Sequence, residues 1–164
     1  MKQSKIFVTW MVIALVVTSC NPSTKKEGFP SVSSHNELIF PKGDKITNNH
    51  FKGNAWLIML VEADSVNQNT VGNVTFEPGA RTNWHSHPGG QIILVMAGEG
   101  YYQEKGSPKR VLHQGDAVKC PANIPHWHGA GPDQVFIQLA ITSRDQGPTV
   151  WLDPVTDEEY LGHK

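Results

Sequence analysis

The 164-residue chain is poor in several things, and each shortage narrows what it can be. It has two cysteines, Cys20 and Cys120, too few for a disulfide framework. Its net charge is only −1 with histidines neutral, and it has no basic stripe, which argues against nucleic acid as a partner. The apolar run Ile6–Val17 is too short for a comfortable membrane span, which takes ~20 residues. No internal repeat is evident, and a chain of this length suits one domain. What is plentiful is glycine, with 15, and proline, with 11, spread along the chain. That composition fits short strands and tight turns better than a helical bundle.

The first twenty residues stand apart. Lys2 and Lys5 precede the apolar run, Thr9 interrupts it, and Val17-Thr18-Ser19-Cys20 closes it. This is a secretory signal pattern. It resembles a bacterial lipoprotein signal, whose small-residue box ends in a cysteine that is lipidated after cleavage. The resemblance implies a signal peptide over 1–19, a lipid on Cys20, and a protein held at the bacterial cell envelope, facing the periplasm or at the outer membrane. An ordinary signal peptide with an incidental cysteine is the plainer alternative. Asn21, where an aspartate would hint at inner-membrane retention, leans toward the outer membrane. With Cys20 acylated, Cys120 has no partner in the chain, and a small buried apolar role suits it. Residues 20–36 are polar, rich in Ser and Pro and without periodicity, and read as a flexible tether to a domain over 37–164.

Strand-like runs then recur: Ala55–Val61, Val71–Glu77, Gln91–Ala97, Tyr101–Glu104, Lys109–His113, Asp116–Cys120 and Gln134–Thr142. Gly98-Glu99-Gly100 reads as a hairpin turn, with Tyr101–Glu104 as the return strand. The expected fold is all-β, an antiparallel barrel or sandwich. Near the end, Thr156 and Glu159 form a capping-box pattern that can open a short helix.

Four of the eight histidines fall in two compact groups, His85-x-His87 and His126-x-His128. Residues two apart on a strand share a face, so each pair can aim at one point, and imidazole pairs at this spacing can hold a metal ion. Gln91 opens the next apolar run after Pro88-Gly89-Gly90, and can reach the same point if the turn brings that run back. By the same alternation Trp84 and Trp127 face away and suit a core or a dimer interface. Arg81 and Thr82 suit a pocket mouth or plain loop solvation. His35, His50, His113 and His163 lie outside the groups and receive no role.

The full pattern is Gly79-x5-His85-x-His87-x3-Gln91-x6-Gly98, followed by Gly115-x5-Pro121-x-Asn123-x2-His126. It resembles the two motifs of the cupin superfamily, over about residues 50 to 160. The resemblance implies a single-domain cupin barrel (a double-stranded β-helix or jelly roll) with a metal held by His85, His87, Gln91 and His126. Three features depart from the usual pattern. Gln91 stands where most cupins have Glu. Asn123 replaces a Gly, although Asn tolerates a left-handed backbone better than most residues. Ala130 replaces a terminal Asn.

The stretches VTFEPGARTNWHSHPGGQ and GDAVKCPANIPHWHGAGPD look like small single-domain cupins that include manganese-dependent hydroxynitrile lyases. They are also similar to cupins associated with carboxymuconolactone decarboxylases. In that subgroup the fourth ligand is also Gln. Three imidazoles and an amide leave a divalent ion its full charge and raise its Lewis acidity. Such a donor set suits Mn, Fe, Ni, Co or Zn, and among these the resemblance implies Mn(II) first. His128 is the candidate base. Gln138 stands where the lyase-like relatives have a further histidine, and Gln cannot act as a general base near neutral pH. The leading expectation is a metal-dependent lyase or isomerase acting on a small carbonyl or hydroxyl compound. The alternatives are a lipoprotein that binds a small ligand such as a sugar acid without turnover, and an Fe(II)-dependent oxygenase. The resemblance also implies a homodimer.

Overall fold

Alternating apolar and polar residues, cut at short intervals by Gly and Pro, produce strands and little else. A computed structural model describes residues 38–162. The signal peptide, Cys20, the tether, His35 and His163 lie outside the described residues. Among the described residues there are twelve strands and one short helix. In chain order they are β1 (Asp44–Lys45), β2 (Phe51–Lys52), β3 (Ala55–Val61), β4 (Asn69–Phe76), β5 (Arg81–Thr82), β6 (His85–Ser86), β7 (Gln91–Glu104), β8 (Arg110–His113), β9 (Ala117–Cys120), β10 (His126–Ala130), β11 (Phe136–Ser143), β12 (Val150–Trp151) and α1 (Asp157–Leu161).

All pairings are antiparallel. One sheet runs β1-β3-β4-β11-β7, with β9 on the far side of β7. The other joins β2, β5, β10, β7 and β8, with β6 on β10 and β12 on β6. The sheets curl around one apolar core that includes Phe76, Ile93, Tyr102, Leu112 and Phe136. Fully burying such side chains contributes about 1.5–3 kcal/mol each.

The expected hairpin at Gly98–Gly100 does not form. β7 runs unbroken through it and belongs to both sheets, its first half pairing β11 and β9 and its second half β10 and β8. The register on β11 shifts between Ile137, opposite Ala97, and Gln138, opposite Val95, which leaves Met96 as the extra residue of a bulge. Before it, Gln91, Ile93 and Val95 are buried; after it, Gly100 and Tyr102 are. The bulge thus switches which parity faces inward. Gly98, with φ of 76°, supplies a backbone that a side chain would obstruct, because a Cβ there would sit 1.8 Å from the Val135 carbonyl oxygen. The turn signal was physically sound, but the chain spends it on a bend within one strand.

A second apolar cluster lies outside the barrel wall. Trp84 and Trp127 pack with Val155 and Tyr160 of the C-terminal segment. The capping box is formed: Glu159 N–H donates to Thr156 Oγ1 (3.0 Å), and Thr156 N–H donates to Glu159 Oε2 (2.9 Å). Tyr160 O–H donates to the Ala130 carbonyl (2.9 Å), fastening α1 onto β10. Arg81 does not line a pocket mouth. It is buried beneath this segment, where its Nη2 donates to Asp157 (2.6 Å) and to the Val155 carbonyl (3.1 Å). Alternation along β5 turns Arg81 outward under α1 and Thr82 inward.

Candidate metal centre

Two turns and one ladder gather the histidines. His85 and His126 are direct cross-strand partners on β6 and β10. His128 follows His126 on the same face of the extended β10. His87 is no longer in a strand; it opens the Pro-Gly-Gly turn, and its carbonyl accepts from Gly90 N–H (3.0 Å) and Asn123 N–H (2.9 Å). That pair of bonds ties the first motif to the second. Asn123 takes the left-handed conformation expected of it, with φ of 60°. Gln91, at the start of β7, is buried.

The result is a cluster of buried imidazoles. His85, His126 and His128 each offer a ring nitrogen within 4.8 Å of the others. The His87 ring centre lies 5.0 Å from that of His85 and 5.5 Å from that of His126. His128 therefore sits inside the cluster, as close to His85 and His126 as a ligand would be.

Every ring is held from behind. His85 Nδ1 faces the Asn83 carbonyl and His126 Nδ1 faces the Ile124 carbonyl, both at 2.9 Å. A carbonyl can only accept, so both rings carry their proton on Nδ1 and turn a bare Nε2 inward, the form that binds metals. His87 Nδ1 meets Thr149 Oγ1 at 3.1 Å, and His128 Nδ1 meets Gln138 Nε2 at 3.1 Å. The inner nitrogens of His87, His126 and His128 are buried with no hydrogen-bond partner. Each such group costs about 1–3 kcal/mol if nothing satisfies it. Two of them, on His126 and His128, belong to the trio whose ring nitrogens converge, and fit a ligand that both face.

Electrostatics favour the same use. Burial holds His85 well below the ordinary histidine range, and the neighbouring His128 and His126 add to the effect. Burial acts first on His128 as well, followed by His126 and His87. His87 is pushed down to about 3 by burial, then by His126 and Arg144, with Gln91 opposing. Burial also lowers His126, against the Ile124 carbonyl and Glu104. The four rings are neutral at physiological pH and ready to ligate. Gln91 Nε2–H donates to Thr142 Oγ1 (2.9 Å), and its Oε1 accepts from the Cys120 thiol (4.0 Å), so the amide is held at both ends. Cys120 is buried with its thiol pushed up to about 12 by desolvation, so it offers no thiolate.

A cavity of about 120 Å³ opens on His85, His87, Gln91 and His128. Thr82 lines it too, and its Oγ1 accepts from His128 N–H (3.2 Å). The C-terminal run supplies walls that had no signal in the sequence. Trp151 is the cross-strand partner of His85, with ring centres 4.9 Å apart. On its other flank Trp151 stacks on His50 at 4.4 Å and 3°, which gives that histidine a place beside the site. Trp84 and Trp127 face away from the cavity, in the outer cluster. His113 lies 3.4 Å from Glu99 on the surface.

Residues 72–141 match the cupin domain family. An (R)-mandelonitrile lyase from Granulicella tundricola is 48% identical over 89 residues, spanning 54% of this chain and 68% of that one. The chain belongs to the cupin superfamily. The crystal structure of a cupin-like protein from Thermotoga maritima superposes with a TM-score of 0.74 at 49% identity, covering 76% of this cupin and 95% of that chain. An acireductone dioxygenase from Gluconobacter oxydans is 30% identical over 78 residues, but the match covers only 40% of its length. This cupin thus has a relative named as a lyase and another named as a dioxygenase, and a histidine cluster that could bind a divalent metal.

Proposed function

We propose that this cupin is a metal-dependent lyase or isomerase acting on a small carbonyl or hydroxyl compound. His85, His87, Gln91 and His126 would hold a divalent ion, Mn(II) first, and His128 would handle a proton. The observation that carries the reading is the set of buried neutral imidazoles, tied at the back and unpartnered at the front. When bound, such an ion supplies Lewis-acid polarisation of a carbonyl or hydroxyl oxygen.

The chain's own residues supply the rest. His128 turns Nε2 toward the cavity, and Gln138 backs Nδ1. An amide can serve either tautomer, donating from Nε2 to a bare Nδ1 or accepting at Oε1 from a protonated one. His128 can therefore take or give a proton at Nε2 while its ring stays in place. Trp151, Leu57 and Met59 give the cavity an apolar wall. The relative named as a lyase supports the reaction type. A lipid on Cys20 at the cell envelope, and assembly as a homodimer, belong to the same proposal and rest on the signal pattern and the resemblance.

The test is metal content by mass spectrometry alongside a screen of small carbonyl and hydroxyl compounds for turnover. His87→Ala should lose metal and activity together, and His128→Ala should keep metal and lose activity. Full activity without metal overturns the reading. Loss of metal in His128→Ala, with metal kept in His87→Ala, moves the ligand set to His85, His126 and His128. Gln138, in place of the relatives' histidine, favours one second reading: a metal-dependent binding protein without turnover. Tight reversible binding with no product would select it.

A further inference from the structure

The cavity wall carries one formal charge of its own. Arg144 lines it, half-buried, among Leu57, Met59, Val74, Ala140 and Trp151. Its Nη1–H donates to Thr149 Oγ1 (3.1 Å), the same oxygen that meets His87 Nδ1. The guanidinium is thus two hydrogen bonds from a ring of the cluster, and it already helps depress His87. Among the described residues Thr149 is its only side-chain hydrogen-bond partner, and no carboxylate pairs with it. Asp145, next in the chain, accepts from Ser143 O–H instead (2.5 Å). A guanidinium has five N–H donors in a planar fork, so Arg144 keeps a face for a ligand.

No Asp or Glu lines this cavity. Glu104, which bears on His126, is its cross-strand neighbour outside the lining and accepts from Tyr102 O–H (3.0 Å). Neutral rings, a neutral amide, a guanidinium and a divalent ion leave positive charge in a partly apolar space with no protein anion to balance it. A charge taken from water is stable there only when paired. A ligand that brings its own negative charge suits this site better than a neutral one. The cavity of about 120 Å³ suits a small ligand.

We propose that Arg144 is a carboxylate-recognition residue and that this site takes a small 2-hydroxy or 2-oxo carboxylate. The carboxylate meets the Arg144 fork, the 2-oxygen lies on the imidazole side, and a short hydrocarbon tail rests on the apolar wall. The inference rests on the metal reading above and narrows its substrate class.

The experiment is titration calorimetry on the full-length, manganese-loaded chain with lactate, pyruvate and lactamide, the last an uncharged molecule of nearly the shape of lactate. Arg144→Gln and Arg144→Lys are titrated in parallel, and manganese content is measured on every sample. Lactate should bind about tenfold more tightly than lactamide, as a charge-assisted fork predicts. Arg144→Gln should abolish that preference, and Arg144→Lys should keep part of it, with metal content unchanged in both. Equal binding of lactate and lactamide, no binding of either acid, or an intact preference in Arg144→Gln overturns the proposal. So does loss of manganese in Arg144→Gln with the preference kept, which would assign Arg144 to holding His87. A wild-type chain that takes up no manganese overturns the metal reading instead. An Arg144-dependent preference for lactate in that metal-free chain would leave the carboxylate subsite standing alone.

Discussion

The two faces of β10 are built from neighbouring residues and to opposite specifications. On the outer face, Trp127 is fully buried under the C-terminal segment, and its Nε1–H donates to Gln103 Oε1 (2.9 Å). Tyr160 O–H finds the Ala130 carbonyl. On the inner face, His126 and His128 are equally buried but their inner nitrogens have no partner. The outer face is complete as a folded protein. The inner face leaves the Nε2 atoms of His126 and His128 without a partner in the protein. On this strand burial alone does not separate stability from function, whereas the partners of the buried side-chain nitrogens differ between its two faces.

Substitutions on the two faces should separate the two roles. The largest effect belongs to His126→Ala, which should reduce metal from about one ion per chain to almost none, measured by mass spectrometry on metal-loaded protein. Its fold in chelator should be retained, because the lost Nδ1 bond to the Ile124 carbonyl is offset by removal of the unpartnered Nε2. Trp127→Ala should do the reverse: about 3–5 kcal/mol of stability lost in denaturant unfolding, with metal still bound by the folded fraction.

Acid should act on the inner face. The folded His87 ring gains its proton near pH 3 and the unfolded one near 6.5, so between these values the unfolded chain holds more protons. Stability of the metal-free chain is therefore full above about pH 6.5 and falls toward pH 3, by about 1.4 kcal/mol per unit for this ring alone. Thermal unfolding in chelator across that window checks it, and a flat profile would contradict the burial of neutral rings. Thr149→Val should weaken metal binding about 10- to 100-fold by freeing His87 Nδ1, without changing the fold. The smallest effect is on the outer face: Thr156→Ala, which removes the helix cap, should cost about 1 kcal/mol and leave metal affinity alone.

The barrel and the two histidine pairs were legible because their signals are local. Alternation, turn residues and fixed spacings all act within a few positions, and the capping box at Thr156 and Glu159 is of the same kind. The Gly98-Glu99-Gly100 stretch misled because a glycine with positive φ serves a bulge as well as a turn, and only the partner strand distinguishes them. Arg81 misled because its ion pair with Asp157 depends on α1 docking back onto the barrel. His50 gained a place only through Trp151. Thr149 and Arg144 were invisible for a similar reason: Thr149 meets a ring 62 positions away, and no spacing rule reaches that far. The fold follows from patterns along the chain, whereas the support of the site follows from contacts across it.

The late position of Thr149 and Trp151 sets an order of events during synthesis. His85 and His87 emerge from the ribosome well before the residues that orient and cover them. Until Thr149 and Trp151 are made, His87 has no hydroxyl behind it and His85 no indole beside it. The two histidines of the first motif therefore gain their support only after the strand that carries the second motif, and its own two histidines, has been made.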